Sequence, residues 1–276
     1  MKRILTAIVL IAVVVALLFD GKPWMILTLS GLIAALAAVE FRTLSAAVAS
    51  PVPLWWTLIG VVLFFAVTSQ RPQDTIVAVW VAMLVLFAWN VWRTPLENVL
   101  SETAAGLLML LYIAYPLTLI PKLWALENGT ALVLFLLICV WSGDIAALYV
   151  GKNFGKRKLA PRLSPNKTWA GTIASVVASA GFGMGMVYLG DYFSKSGSSF
   201  TKLYVSLPWW QMLVLAVVLN IAAQFGDLLE SALKRGAGVK DSGTMLPGHG
   251  GILDRIDALL VAAPVMWIVL VLLGIA

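Results

Sequence analysis

The chain has 276 residues, of which 61% are hydrophobic and only 12% are charged, and its mean hydropathy is +0.97. Soluble domains are nearer half apolar and a quarter charged, so this composition excludes a soluble globular protein and indicates a polytopic membrane protein. The net charge of +6 is typical of a positive-inside bias and of anionic substrates, and we expect no nucleic-acid partner. The single cysteine, Cys139, lies in an apolar run and excludes an internal disulfide.

Nine apolar segments are candidates for transmembrane helices, which need about 20 apolar residues each. They cover residues 4–19, 24–40, 53–69, 75–92, 104–121, 130–150, 168–190, 208–229 and 256–275. The first segment follows two basic residues, as in a signal peptide, but no small-residue cleavage site follows it, and we expect a retained helix. The sequence therefore predicts an all-α polytopic integral membrane protein with about nine transmembrane helices.

Lysine and arginine are distributed unevenly between the two sets of predicted loops. With the N-terminus in the cytoplasm, 14 of the 19 basic residues fall on the cytoplasmic side and five on the other side. Because cytoplasmic loops are enriched in positive charge, we predict a cytoplasmic N-terminus, an external C-terminus and two large cytoplasmic polar loops.

The two halves of the chain differ in their polar content. Residues 1–127 carry few polar groups and are predicted to form lipid-embedded helices for scaffolding or oligomerisation, whereas residues 128–276 are predicted to be catalytic. We interpret Glu40, at the end of the second apolar segment, as a helix-end charge that reaches towards the membrane surface. Asp144 lies inside the sixth apolar segment, where a charge is costly, so it either faces a polar cavity or makes a structural hydrogen bond.

The segment 151–169 contains six basic residues and no acidic residue. A topogenic loop that also contacts anionic lipid headgroups accounts for part of this pattern. However, Pro165 fixes a turn, and Ser164 or Thr168 can cap the helix that follows. Lys167 beside a helix N-terminus therefore indicates a phosphate-binding site.

The polar stretch 226–257 lies between two apolar segments and holds five of the thirteen acidic residues and the only histidine. Four of its polar residues have the spacing of one helix face: Asp227, Glu230, Ser231 and Lys234. Asp254 and Asp257 are three residues apart and share a face of the next helix. The glycine-rich loop between these helices can present backbone N–H groups to an anion. Carboxylates from two helices beside basic residues predict a site for a metal ion and a phosphate.

These motifs resemble the signature of the phosphatidate cytidylyltransferase (CDP-diacylglycerol synthase) family. The resemblance is carried by Ser231-x-x-Lys234-Arg235, Lys240-Asp241-x-Gly243, Pro247-Gly248-His249-Gly250-Gly251-x-x-Asp254-Arg255-x-Asp257, Phe154-Gly155-Lys156 and Ser164-Pro165-x-Lys167-Thr168. The family also often has glutamate at the position of Glu40. One position departs from the pattern, because Ala170 stands where the family usually has glutamate or glutamine before glycine.

The resemblance implies transfer of a cytidylyl group from CTP to phosphatidic acid, which gives CDP-diacylglycerol and pyrophosphate in phospholipid biosynthesis. It implies Mg²⁺ as a cofactor, with Asp227 and Asp254 as ligands, and it allows a second cation such as K⁺. It also implies a homodimer among the lipids of the cell (cytoplasmic or inner) membrane, with the active site facing the cytoplasm.

The candidate site residues form two sets. Catalytic roles are assigned to Asp227, Ser231, Lys234, Arg235, Lys240, Asp241, His249, Asp254, Arg255 and Asp257. Substrate binding is assigned to Asp144, Lys152, Ser164, Lys167, Thr168, Gly248, Gly250 and Gly251. Asp257 either ligates the cation or orients its neighbours, and we expect His249 to donate a hydrogen bond to phosphate rather than to act as a base.

Three other functions remain open on the sequence alone. Intramembrane acids such as Asp144 and Asp227 also occur as ion ligands in secondary transporters, although those proteins often show paired repeats, which are absent here. A non-catalytic scaffold descended from the enzyme would fit the departure at Ala170. A cytidylyltransferase that acts on a different lipid phosphate would carry the same headgroup site.

Overall fold

The computed structural model describes residues 2–48, 51–196, 199–243, 245 and 250–276, and most of them are helical. The helices and strands are α1 (Lys2–Asp20), α2 (Pro23–Val48), α3 (Val61–Gln70), α4 (Thr75–Arg93), α5 (Leu96–Met109), α6 (Tyr115–Trp124), α7 (Gly129–Phe154), β1 (Lys158–Ala160), β2 (Ser164–Thr168), α8 (Trp169–Lys195), α9 (Trp209–Gly236) and α10 (Leu253–Leu272). Single π-helical turns, Trp56–Gly60 and Leu110–Ala114, lead directly into α3 and α6. Short 3₁₀ turns, Pro72–Asp74 and Ser199–Leu203, lie in two of the connections.

Helical stretches long and apolar enough to cross a membrane number seven within the described residues. They are Pro23–Val48, Pro72–Arg93, Leu96–Trp124, Gly129–Phe154, Trp169–Lys195, Trp209–Gly236 and Leu253–Leu272. Two shorter apolar helices, Ile11–Asp20 and Trp56–Gln70, coincide with the first and third predicted segments. The protein is therefore an all-α polytopic membrane protein, as predicted, while the count of nine crossings and the orientation stay predictions. The described residues also form one short β-hairpin, which was not predicted.

The chain divides into two compact units, and each unit takes segments from both halves of the sequence. The first unit consists mainly of Trp24–Lys122 and Ala232–Ile256. The second unit consists of Ile4–Pro23, Leu123–Ser231 and Asp257–Ala276. The assignment of scaffolding to residues 1–127 and of catalysis to residues 128–276 stays a prediction.

In the first unit, small residues allow close helix contacts and polar side chains pair with each other. The indole Nε1 of Trp56 donates a hydrogen bond of 3.3 Å to the carbonyl oxygen of Gly106, which joins the start of α3 to α5. Thr94 Oγ1, just after α4, donates to Glu102 Oε2 on α5 at 2.8 Å. Such hydrogen bonds satisfy polar groups that water cannot reach.

In the second unit, α7 and α8 pack in antiparallel orientation. Gly183 in the middle of α8 contacts Phe135 near the start of α7, and Gly171 at the start of α8 contacts the backbone of Ala147 and Gly151 near the end of α7. Glycine at these positions lets the two backbones approach closely, as is common where membrane helices associate. This packing fixes the end of α7, where the basic hairpin begins.

Candidate active site

The basic segment after α7 folds into an antiparallel hairpin rather than an irregular loop. Lys158 of β1 lies opposite Thr168 of β2, and Ala160 lies opposite Ser164. The backbone N–H of Leu163 donates to the carbonyl of Ala160 at 3.1 Å and closes the turn between the strands. The hairpin leads directly into α8, so its last residues lie at a helix N-terminus.

Thr168 joins the hairpin to α8 and is only 3% exposed. Its side-chain oxygen accepts a hydrogen bond of 3.2 Å from the backbone N–H of Gly171, which confirms the predicted helix cap. A Cβ atom on Gly155 would collide with the side chain of Thr168, and one on Gly171 would lie 2.8 Å from the carbonyl oxygen of Ala147. Glycines therefore make room for the buried cap, and the substrate-binding role of Thr168 stays a prediction.

Lys167 and Asp227 form an ion pair in the second unit. The Lys167 ammonium lies 2.6 Å from Asp227 Oδ2, and the side chains are 23% and 38% exposed. Asp144 on α7 has an exposed side chain within electrostatic reach of both residues. Three residues that the sequence placed in the site by type alone are therefore neighbours, although they come from α7, β2 and α9.

The helix that carries Asp227 packs directly on α10. A Cβ on Gly226 would lie 2.5 Å from the carbonyl oxygen of Asp257 and 3.2 Å from the Cα of Ala258. This close approach places the backbone beside Asp227 against the backbone of Asp257. The Asp257 carboxylate accepts a hydrogen bond of 2.8 Å from the N–H of Ala258, and its role as a ligand or as an orienting group stays a prediction.

A buried polar network joins α9 to α8, one and two turns before Asp227. Asn220 Nδ2 donates to Ser175 Oγ at 2.9 Å and to Ser179 Oγ at 2.7 Å. Gln224 Nε2 donates to Asn220 Oδ1 at 2.6 Å and to the carbonyl oxygen of Thr172 at 3.3 Å. Because buried polar groups are costly when unsatisfied, this network fixes the rotation and register of α9, and so the direction in which Asp227 points.

Asp254 is the centre of hydrogen bonding in the first unit. Its Oδ1 lies 2.7 Å from the Lys234 ammonium, and the two side chains are only 9% and 13% exposed. Its Oδ2 accepts hydrogen bonds from the backbone N–H groups of Gly251 at 2.8 Å and Ser242 at 3.1 Å. The carboxylate thus ties together the end of α9, the start of α10 and the connection between them, residues 237–252, which we call the signature loop.

Glu40 binds the same loop from α2, and our interpretation of it as an exposed helix-end charge is wrong. The residue is 2% exposed, because α2 continues for two turns beyond it to Val48. Its carboxylate oxygens accept hydrogen bonds from Ser242 Oγ at 3.0 Å and from the N–H groups of Ile252 and Leu253 at 2.9 Å each. A buried carboxylate with three donors is held in one orientation.

The other candidate residues differ in exposure. Exposed side chains are those of Lys152, Arg235, Lys240, Asp241 and Arg255, whereas Ser231 is buried and Ser164 is partly buried. Gly250 has a φ of +78°, a conformation that favours glycine, and a Cβ there would lie 2.8 Å from Asp254 Oδ2. Gly248 and His249 lie outside the described residues, so their roles stay predictions.

Comparison with known proteins supplies the family. Residues 1–273 match the family model described as the cytidylyltransferase family. The chain belongs to this family. The phosphatidate cytidylyltransferase of Haemophilus influenzae is 31% identical to this chain, in a match that covers 95% of this chain and 96% of that protein. The protein of the same name from Bacillus subtilis is 30% identical, in a match that covers 98% of this chain and 97% of that protein. A protein of the same name from Brucella suis is 43% identical over 51% of this chain, and in that match the chain spans about half (47%) of the relative's length.

The carboxylates of this cytidylyltransferase family member fit a divalent cation unequally. Asp227 supplies a partly exposed carboxylate, and Asp144 lies within electrostatic reach of it; carboxylate oxygens are the donors that Mg²⁺ prefers. Asp254 already accepts hydrogen bonds on both oxygens, so a cation there would have to displace Lys234 or a backbone N–H. Among the residues that the structure describes, no group of three or more His, Cys, Asp and Glu side chains could hold a metal ion.

Two buried acids lie beside the predicted site residues but were not assigned to the site. Glu40 contacts the signature loop, and Glu230, on the same helix as Asp227, is fully buried. The position of each acid within an apolar stretch of the sequence could have pointed to it, because a buried charge is retained only where a partner or a function offsets its energetic cost. Hydropathy alone cannot show which distant segment supplies that partner.

Proposed function

We propose that the protein is a phosphatidate cytidylyltransferase that transfers the cytidylyl group of CTP to phosphatidic acid and releases pyrophosphate. The observation that carries this proposal is the similarity to two proteins of that name over 95% and 98% of the chain. The described residues agree with it, because each unit holds a lysine paired with an aspartate, and cationic groups of this kind can bind substrate phosphates.

The proposed reaction joins two anions. An oxygen of the lipid phosphate attacks the α-phosphorus of CTP, a new P–O bond forms as the bond to the β-phosphate oxygen breaks, and pyrophosphate leaves with those electrons. A phosphate monoester has a second pKa of about 6, so the attacking oxygen is already largely ionised at neutral pH and needs no strong base. The barrier is therefore mainly electrostatic, and cationic groups that hold the phosphates lower it.

Lys167 is the residue through which we propose that the second unit binds a substrate phosphate. Its ion pair with Asp227 is partly exposed, so a phosphate oxygen can reach the ammonium group. The hairpin holds Lys167 next to the first turn of α8, where the helix dipole also favours an anion. Ser164 and Lys152 are proposed to add further contacts.

Residues of the first unit are proposed to bind further phosphate groups. Lys234 is held by Asp254 in a defined position, and exposed cationic side chains follow it in the chain. These are Arg235, Lys240 and Arg255. The glycine-rich loop that ends at Gly251 is proposed to cradle the triphosphate with backbone N–H groups, as predicted from the sequence.

We propose Mg²⁺ as the cofactor and Asp227 as the residue that would hold it, with Asp144 beside it. When bound, Mg²⁺ would neutralise charge on the phosphates and on the departing pyrophosphate. Ligation by Asp254 and the presence of a second cation such as K⁺ stay predictions. The protein's own contribution is to hold Asp227 in place through the packing of Gly226 on α10 and the network of Asn220.

The proposed substrates set the expected location. Phosphatidic acid keeps its acyl chains in the bilayer, while CTP arrives from the cytoplasm. We therefore propose that the protein lies in the cell inner membrane with its active site facing the cytoplasm, in agreement with the distribution of basic residues. The homodimer that the family resemblance implies stays a prediction.

The direct test is turnover by the purified protein. Labelled CTP, phosphatidic acid and Mg²⁺ should give CDP-diacylglycerol and pyrophosphate in equal amounts. A second arm with a polyprenyl phosphate in place of phosphatidic acid tests whether the acceptor is a different lipid phosphate. Absence of CDP-lipid in every arm, together with solute flux in reconstituted vesicles that contain no CTP, would contradict the proposal and favour a transporter.

Replacement of Asp227 tests its role in this reaction. We expect Asp227→Ala to lower turnover by at least about 10²-fold, because a group that organises charge around the reacting phosphates is lost. The matched control is Asp191→Ala, which removes an exposed acid that pairs with Lys195 at 3.2 Å on α8. Turnover of Asp191→Ala should equal that of the wild type, and normal turnover of Asp227→Ala would remove Asp227 from the site.

A further inference from the structure

We infer that Glu40 is a positioning residue of the signature loop, so that a helix from the N-terminal half of the chain determines the geometry of Asp254. This inference rests on the proposed function for its effect on turnover. The contacts that carry it lie within the first unit, to which Glu40 and residues 232–256 both belong.

The first step is the arrangement of donors around the carboxylate. Glu40 Oε1 accepts from Ile252 N–H at 2.9 Å, while Oε2 accepts from Leu253 N–H at 2.9 Å and from Ser242 Oγ at 3.0 Å. Leu253 is the first residue of α10, so its N–H and that of Ile252 have no acceptor within the helix. Glu40 therefore caps α10 from a helix more than 200 residues away, and the α10 dipole helps to stabilise its buried charge.

The second step is the connection to Asp254. The side chain of Ser242 donates to Glu40, and the backbone N–H of the same residue donates to Asp254 Oδ2 at 3.1 Å. Asp254 in turn pairs with Lys234 at 2.7 Å. A displacement of Ser242 or of the start of α10 would therefore move both the carboxylate of Asp254 and the ammonium group of Lys234.

The third step explains two glycines of the signature. A Cβ on Gly243 would lie 2.6 Å from Glu40 Oε1, and a Cβ on Gly251 would collide with Glu40 Oε2 and with the hydroxyl of Ser242. Neither glycine has a positive φ within the described backbone, so space rather than conformation requires glycine there. Ser242, Gly243 and Gly251 therefore pack closely around the carboxylate of Glu40.

The substitution Glu40→Gln tests this arrangement while keeping the size of the side chain. The amide NH₂ must replace one oxygen. In one orientation it faces Ile252 N–H, and in the other it faces Leu253 N–H, so one backbone donor at the start of α10 loses its acceptor in either case. Glu102→Gln is the matched control, because Glu102 is 4% exposed in the same unit and Thr94 Oγ1, which donates a hydrogen bond to it, can still donate to a glutamine oxygen.

Three measurements should be made on the full chain in detergent: kcat and KM for CTP, amide hydrogen exchange over residues 240–256, and thermal unfolding. We expect Glu40→Gln to lower kcat by on the order of 10²-fold, as small displacements of a catalytic group do, and to speed exchange at Ile252 and Leu253. Glu102→Gln should leave both kcat and the exchange rates at Ile252 and Leu253 unchanged. Ser242→Ala, which removes only the hydroxyl donor, should give a smaller loss of kcat and serves if Glu40→Gln fails to fold.

Wild-type kcat and exchange in both Glu40→Gln and Ser242→Ala would overturn the inference, as would an equal loss of kcat in Glu102→Gln. If the wild-type protein itself makes no CDP-lipid, the proposed function fails. The exchange data would then still decide whether Glu40 holds the loop, since they do not depend on turnover.

Discussion

At the scale of single residues, the lysine–aspartate pair of each unit differs from the other in exposure, and this difference sets what each pair can do. The side chains of Lys167 and Asp227 are 23% and 38% exposed, so a substrate or cation can displace one partner at low cost. Lys234 and Asp254 are 13% and 9% exposed, and Asp254 has additional backbone donors. The first pair is suited to exchange partners with a ligand, while the second is suited to hold the loop.

The buried pair should therefore contribute measurably to stability. We expect Lys234→Met to lower the free energy of unfolding by about 3 kcal/mol, because it leaves the Asp254 carboxylate buried without its cation. Lys195→Met, which breaks an ion pair whose side chains are 79% and 48% exposed, should change it by less than about 0.5 kcal/mol. Thermal and denaturant unfolding in detergent would measure both values. Equal stability of the two variants would show that burial of Asp254 is not maintained in solution.

The residue types in the site could be predicted from the sequence, but most of the contacts between those side chains could not. The costs of intramembrane charge pointed to Asp144, and motif spacing pointed to Asp227 and Asp254. The pairing of Lys167 with Asp227 depends on the packing of β2 near α9, which no local pattern encodes. Glu40 was misinterpreted for the same reason, since its partners lie more than 200 residues away.

At the scale of elements, glycine and small polar residues bring α7, α8 and α9 into close contact at one point. Gly143 of α7 lies against Asn220 of α9 and against the hydroxyls of Ser175 and Ser179 of α8. In lipid, helix association depends on close packing and interhelical hydrogen bonds, because the surrounding acyl chains are as apolar as the side chains. Asp144 follows Gly143 directly, so this contact also fixes one acid of the site.

The contact at Gly143 can be tested with a matched pair of glycines. A Cβ on Gly143 would lie 2.8 Å from both serine hydroxyls, whereas one on Gly185 of α8 would have nothing within 4 Å. We expect Gly143→Ala to destabilise the protein by about 1–3 kcal/mol through overpacking. Gly185→Ala should be neutral or stabilise it by up to about 1 kcal/mol, since alanine is the better helix residue. Thermal unfolding would measure the stability of both variants. A Gly143→Ala variant more stable than the wild type would contradict the close contact at Gly143.

Hydropathy located the helices but placed several of their ends wrongly. The predicted segment 104–121 begins at Leu96 in the structure, because Glu102 is buried through its bond to Thr94 and does not interrupt the helix. The segment that was expected to end at residue 40 continues to Val48. The β1–β2 hairpin was not predicted either, since a run of basic residues resembles a solvated loop. For the two helices, tertiary contacts of Glu102 and Glu40 satisfy polar groups that a hydropathy window counts as breaks.

At the scale of the whole molecule, the distribution of charge relates the chain to the membrane. Fourteen of the 19 basic residues lie on one predicted side. Two long apolar helices, α8 and α9, separate the basic hairpin from the signature loop, so these segments are predicted to share a side whatever the total number of crossings. A lipid phosphate at the bilayer surface and a soluble nucleotide could then both be reached from that side, which the proposed reaction requires.

The orientation can be tested with introduced cysteines, because the chain contains only Cys139, which is buried and can be replaced by alanine. Arg162→Cys places a thiol in the exposed turn of the hairpin, and Arg71→Cys places one between α3 and α4. Three membrane-length stretches, Pro72–Arg93, Leu96–Trp124 and Gly129–Phe154, separate the two positions, which are therefore expected on opposite sides. A membrane-impermeant maleimide should label Arg162→Cys only in inside-out vesicles and Arg71→Cys only in right-side-out vesicles, because the positive-inside rule places the hairpin in the cytoplasm. The reverse pattern would place the hairpin outside, where CTP is not supplied, and labelling of both from one side would show that one of the three stretches does not cross the membrane.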